Sequence, residues 1–247
     1  MTIIDTHAHL YDLLDAETAL RDSAAAGVSD VVALSVDAAS AQRHFEFRTC
    51  PQVHLAIGLH PGNIKADEVD ACFSFFRDVL QKDPHGCVAI GEIGLDFWYK
   101  WVRQDDAKKN EQRAAFAAQL GLAREFDLPA VIHCRGAWRE CLDMTVAAGV
   151  RKAVFHWYSG PVDVLKNILD AGFLISGAVA LEYSPDSRRA VECAPLDRIL
   201  IETDTPVRGT TPKDVWRTLK ALCAIKALDE DKALAAVNAN ARLFFNI

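Results

Sequence analysis

Thr2–Ile3–Ile4–Asp5–Thr6–His7–Ala8–His9–Leu10 decides how this chain folds. A short run with two adjacent isoleucines closes on a His-x-His pair. On a strand, side chains at i and i+2 point the same way, so both imidazoles reach one ion. Four other short apolar runs, far apart in the chain, also close on a metal-binding type of side chain. They end at Glu92, His133, His156 and Asp204.

The apolar runs are the candidate strands. They cover residues 2–8, 30–36, 53–59, 87–93, 129–134, 152–157, 173–177 and 198–203. Their apolar content is continuous rather than alternating, as expected of strands buried on both faces. Helical patterns lie between them. Residues 16–27 end at a glycine, 111–127 stop just before Pro129, and 162–172 end at another glycine. Residues 212–227 begin with a proline in the first turn, and 229–244 read as a terminal helix. Eight strands with room for a helix or long loop in each connection predict an α/β (β/α)8 TIM barrel, slightly distorted, in a single domain over 1–247. An open doubly wound sheet is the competing fold, but the Gly-x-Gly-x-x-Gly that should follow its first strand is missing.

Composition narrows the class. The 247 residues are 51% hydrophobic, ample for a core and incompatible with disorder. The opening residues enter structure at once with no signal-peptide pattern, and no apolar run approaches membrane-spanning length. A cytoplasmic protein without a membrane partner is expected. Seven scattered cysteines with no Cys-x-x-Cys fit reduced thiols rather than a disulfide framework or zinc finger. A net charge of −7 argues against coating long stretches of nucleic acid, though not against holding a strand end at a local site.

In a barrel, each singled-out residue falls at the C-terminal rim, where barrel enzymes carry their chemistry. His7, His9, Glu92, His133, His156 and Asp204 are the candidate metal ligands. Four imidazoles and two carboxylates exceed what one tetrahedral ion takes, so two divalent ions are expected, with Glu92 between them. Zinc suits the imidazoles, and magnesium or manganese suits the oxygens. Asp204 and Glu92 are the candidate catalytic carboxylates, with Asp204 as general base. Asp96 is expected to orient a ligand histidine or to cap the next segment. Glu202 is expected to hydrogen-bond behind a ligand. Arg135 is a candidate phosphate contact, against the plainer reading of a surface ion pair, and Cys134 should point away from the axis. His60, in Gly-Leu-His-Pro, is either a substrate contact or a turn residue. Phe97, Trp98, Tyr99 and Trp101, with Lys100 and Arg103, would either stack a base or fold over the rim as an apolar loop.

Seven motifs in order resemble the TatD-type metal-dependent deoxyribonucleases, a branch of the amidohydrolase-like barrels. They are Asp-Thr-His-Ala-His-Leu (5–10), Gly-Leu-His-Pro (58–61), Ile-Gly-Glu-Ile-Gly-Leu-Asp (90–96) and Val-Ile-His-Cys-Arg (131–135). The others are Phe-His-Trp-Tyr-Ser-Gly (155–160), Ile-Glu-Thr-Asp-Thr-Pro (201–206) and Asn-Ala-Asn-Ala-Arg-Leu-Phe (238–244). The resemblance implies the same six ligands around two metals and hydrolysis of DNA phosphodiesters, often from a strand end. It also has departures. The segment from Pro206 to Pro212 is shorter than in the family, and Trp98 and Trp101 replace smaller or more polar residues.

The function expected is therefore a divalent-metal-dependent deoxyribonuclease acting on a single strand or strand end, as a monomer with no obligate protein partner. The alternatives are a hydrolase of a small ester, lactone, amide or phosphoester, and a non-catalytic binding barrel. Uncompensated repulsion among buried carboxylates speaks against the last.

Overall fold

The computed structural model describes residues 1–247, with eight parallel strands in sequential order around a barrel. They are β1 (Ile3–Ala8), β2 (Val28–Leu34), β3 (Val53–Ile57), β4 (Ala89–Asp96), β5 (Ala130–Arg135), β6 (Ala153–Phe155), β7 (Leu174–Gly177) and β8 (Ile199–Ile201). A helix follows each strand: α1 (Ala16–Ala25), α2 (Ala38–His44), α3 (Val69–Lys82), α4 (Asp106–Glu125), α5 (Trp138–Ala148), α6 (Val162–Asp170), α7 (Pro185–Cys193) and α8 (Val215–Lys226). A ninth, α9 (Glu230–Phe245), ends the chain. This is the (β/α)8 barrel and not the open sheet.

Two apolar layers follow from strand alternation. Ile4, Val32, Leu34, Val131, Val154 and Leu200 cluster inside the barrel with Phe244 and Phe245 of α9, which plugs its N-terminal end. Their neighbours of opposite parity, such as Ile3, Val31, Ile132 and Ile175, pack outward under the helices. Toward the C-terminal end of the strands the interior turns polar, and the candidate site lies there.

The ladder runs from β1–β2 through β7–β8, and the seam between β8 and β1 is joined differently. Beyond β8, the Asp204 N–H donates to the His7 carbonyl (3.0 Å) and the His9 N–H to the Thr205 carbonyl (2.7 Å). Lower down, side chains take over from backbone. Thr6 Oγ1 donates to the Ile201 carbonyl (2.9 Å), and the Asp5 carboxylate accepts from Thr203 N–H (2.9 Å) and Oγ1 (2.6 Å). From α9, Asn238 accepts the Ile4 N–H (3.2 Å) and donates to the Thr2 carbonyl (2.7 Å). Strand edges leave backbone donors and acceptors that must be satisfied, and these residues satisfy them. The expected slight distortion of the barrel is located here.

Some boundaries differ from expectation. β6 and β8 are three residues each, where residues 152–157 and 198–203 read as strand. Trp157 (φ 40) and Asp204 (φ 55) enter the left-handed region, which cannot continue a strand. α4 starts at Asp106 rather than residue 111 because Asp105 caps it, accepting the N–H groups of Ala107 and Lys108. Its first turns carry charged pairs, Lys109–Asp106 and Lys108–Glu111, in place of an apolar stripe.

Candidate metal centre

Every residue singled out for the site sits at the C-terminal mouth of the barrel. His7 lies in β1 and His9 just beyond it, Glu92 in β4, and His133 in β5. His156 follows β6, and Asp204 follows β8. The β4–β5 register shifts between Ile90 and Ile93, around Glu92. The glycines flanking this stretch are needed for close packing. A Cβ on Gly91 would lie 2.7 Å from Val131 Cβ, and one on Gly94 (φ 144) would lie 1.9 Å from the His133 carbonyl oxygen.

Glu92, 2% exposed, divides the donors into two groups. Its Oε2 lies 3.4 Å from His7 Nε2 and 3.2 Å from His9 Nε2. Asp204 Oδ1 is 3.6 and 3.3 Å from the same nitrogens, which are 3.2 Å apart. An ion with bonds of about 2.0–2.2 Å needs tetrahedral donors about 3.3–3.6 Å apart, so this group has the spacing of a metal site. The other oxygen, Oε1, lies 2.8 Å from His133 Nδ1 and 2.9 Å from His156 Nε2. Those two nitrogens are 3.4 Å apart. Buried imidazole nitrogens converging on carboxylates, with His7 Nδ1 left unpartnered, form a donor set that suits a divalent metal.

The partners behind these side chains fix their orientation. His9 Nδ1 donates to the Leu34 carbonyl (2.9 Å), turning Nε2 to the site. His133 Nε2 donates to Asp96 Oδ2 (3.0 Å), and His156 Nδ1 to Glu202 Oε1 (3.1 Å). Glu202 also accepts from Trp157 N–H (3.1 Å) and Ser176 Oγ (2.6 Å). Asp96 thus holds His133 through Oδ2, and its Oδ1 accepts the Trp98 N–H at 2.9 Å in the turn that follows β4. Arg135 gives its Nε to Asp96 Oδ2 (2.8 Å) while remaining on the cavity wall. His60 is likewise a turn residue that faces the site. Its Nδ1 accepts the Gly62 N–H (2.9 Å), so the proton is on Nε2, 3.5 Å from Glu92 Oε1. That makes it a hydrogen-bond donor rather than a ligand.

Charge follows geometry. Burial lowers the pKa of His9, but Asp204 and Glu92 together outweigh it and hold it at about 10. Burial likewise opposes Asp96 and Glu92 at His133, which is held at about 9. Burial and neighbouring imidazolium charge outweigh Glu92 at His60, which falls to about 3. Glu92 is held well below the usual carboxylate range because the histidines around it overcome its burial, and Asp204 is lowered in the same way. The centre therefore gathers carboxylate charge beside His9, His133 and His156, which hold protons in the absence of an ion, while burial lowers His7 and His60.

A cavity of about 530 Å³ opens above these groups. Of the aromatic stretch after β4 only Tyr99 lines it, while Trp98 and Trp101 are 56% and 46% exposed outside the lining. Trp98 meets Trp138 edge-on, and Trp101 stacks on Tyr99. Cys134 lies on the cavity wall rather than away from it. Asp5, Thr203, Ser176 and Trp157 were not singled out in the sequence, although all support or line the site. An apolar run ending Ile-Ile-Asp had signalled only a strand, and Ser176 has no motif around it.

A β/α barrel whose strand ends bring imidazoles and carboxylates to one buried centre defines the class of metal-dependent hydrolases. Residues 4–246 match the family model of TatD related DNase, and the chain belongs to that family. It is 30% identical over 264 residues to an uncharacterized metal-dependent hydrolase, TatD, of Mycobacterium tuberculosis, covering 99% of this chain and 98% of that one. An uncharacterized metal-dependent hydrolase of Methanocaldococcus jannaschii is 28% identical over 250 residues, covering 98% and 96%. The crystal structure of YjjV, a TatD homologue from Escherichia coli, superimposes with a TM-score of 0.90 at 26% identity, covering 99% and 98% of the two chains.

Proposed function

We propose that this hydrolase is a deoxyribonuclease that cleaves phosphodiester bonds at a single strand or strand end. In this reading two divalent ions (zinc, magnesium or manganese) are held by His7, His9, Glu92, His133, His156 and Asp204. The observation that carries it is Glu92, whose two oxygens face two separate donor groups. Such ions supply Lewis acidity and offset phosphate charge.

The chain's own residues do the rest. Asp204 turns Oδ1 to His7 and His9, and its carboxylate takes the proton of the attacking water. The water oxygen attacks phosphorus as the P–O bond to the leaving sugar oxygen breaks, and that oxygen takes up the proton Asp204 received. Arg135, held through Nε by Asp96, leaves its terminal nitrogens for a phosphate oxygen. His60 presents a neutral Nε2–H beside them. We further propose a single-domain, cytoplasmic monomer with DNA as its partner.

Purified protein loaded with manganese, magnesium or zinc is expected to shorten labelled single-stranded DNA. Asp204→Asn should lower kcat by roughly 10²–10⁴-fold while the far-UV spectrum and melting curve stay folded. Cleavage that persists through both chelation and this substitution overturns the mechanism. The net charge of −7 and the tight turn at Val207–Gly209 favour a small ester or phosphoester as the second reading. Turnover of small chromogenic esters with DNA left intact would establish that one instead.

A further inference from the structure

We propose that Trp157 selects the substrate by stacking its indole on one unpaired nucleobase next to the phosphodiester being cut. This rests on the deoxyribonuclease reading and adds to it a base-binding subsite.

The first reason is the backbone. Trp157 directly follows His156 and adopts φ 40. That region suits glycine or asparagine, and a bulky residue there is an outlier whose retention calls for a reason. The conformation is imposed from outside the residue, because its N–H donates to Ser176 Oγ (2.9 Å) and to Glu202 Oε1 (3.1 Å). The turn therefore needs no indole, and glycine would adopt it more easily.

The second reason is where the ring stands. Trp157 is partly buried and lines the same cavity as Glu92, His133 and Arg135. The other large aromatic on that wall, Tyr99, is already engaged. Trp101 stacks on it at 5.3 Å, and the Arg135 guanidinium lies 5.1 Å from its ring centre. No ring of the protein is paired with Trp157. An aromatic ring without a ring partner, sharing a cavity with an arginine, is an arrangement by which proteins hold unpaired bases, with little sequence preference. Ser159 and Asn63, also on the cavity wall, supply polar groups for a base edge. A cavity of about 530 Å³ lies within the range of small-ligand clefts. A base inside a duplex stack has no face to offer, so the subsite accepts a strand end or a single strand.

The test uses full-length protein carrying Asp204→Asn, loaded with manganese, and fluorescence anisotropy with labelled single-stranded oligonucleotides. One abasic residue is moved along the oligonucleotide. At one position it should weaken binding by roughly 5–150-fold, the range of a single base–aromatic stack. In Asp204→Asn/Trp157→Gly that penalty should fall below about twofold, and Trp157→Phe should restore part of it. The Trp157→Gly protein should keep a cooperative melting transition, since Ser176 and Glu202 hold the turn without the indole. An abasic penalty that is equally large in the Trp157→Gly protein overturns the assignment, as does the lack of any penalty in its parent. The two readings fail separately. If metal-loaded wild-type protein leaves all DNA intact, the deoxyribonuclease reading falls and this subsite with it. If DNA is cut but the penalty ignores position 157, only the role of Trp157 falls.

Discussion

Glu202 shows how much of this centre depends on residues that do not face the cavity. It is 1% exposed, and its oxygens accept from His156, Trp157 and Ser176. The same carboxylate aims a proposed ligand and fixes the turn that carries the next residue. Glu202→Gln removes a charge that His156 relies on, so metal affinity should fall about 10–100-fold in a chelator-competition titration. Unchanged affinity would show that His156 is positioned without it. At this scale the sequence was legible where polarity broke an apolar run, as at Glu92, His133 and His156. It was silent at Trp157, because a residue's φ is set by bonds to Ser176 and Glu202 that lie 19 and 45 positions away.

At the scale of elements, the barrel closes at one seam through two backbone bonds and, below them, through side chains. Asn238 holds both the N–H of Ile4 and the carbonyl of Thr2, at the end of the barrel opposite the site. Asn238→Ala leaves the buried Ile4 N–H unmet and frees the less buried Thr2 carbonyl, with an expected loss of about 1–3 kcal/mol in urea denaturation. A loss within error would mean that the seam finds other partners. Strand number and order were readable from apolar runs between helical patterns. The lengths of β6 and β8 were not, because residues that look strand-forming turn out of the ladder to reach the centre. The start of α4 was hidden for a different reason. Its first turn is stabilised by the Asp105 cap and charged pairs, which leave no periodic apolar signal.

For the whole molecule, the centre links stability to pH and to metal. In the absence of an ion, His9 and His133 are held up at about 10 and about 9, above their ordinary 6.5. Their contribution is complete below about 6.5 and is lost as pH rises through 9 and 10. Glu92 and Asp204 are depressed, so theirs is present above the ordinary carboxylate values of 4.5 and 3.8 and is lost on further acidification. Metal-free protein should therefore melt progressively lower between pH 7 and pH 10, and the loaded protein should not. Differential scanning calorimetry with and without chelator checks this, and parallel curves would refute it. Ion binding at pH 7 should also release protons, measurable as a buffer-dependent binding enthalpy.

The seam has one more consequence, which concerns synthesis. Thr6 meets Ile201 across 195 positions, and Asp204, which stands against His7 and His9, is made at nearly the same time as Ile201. At a translation rate of about 5–20 residues per second, a nascent chain displays its first two imidazoles roughly 10–40 s before that carboxylate exists. Through that interval the ribosome-bound chain has no complete cage. On the proposed ligand set, a chain truncated before residue 204 lacks one of the six ligands and is expected to hold an ion more weakly than the full chain.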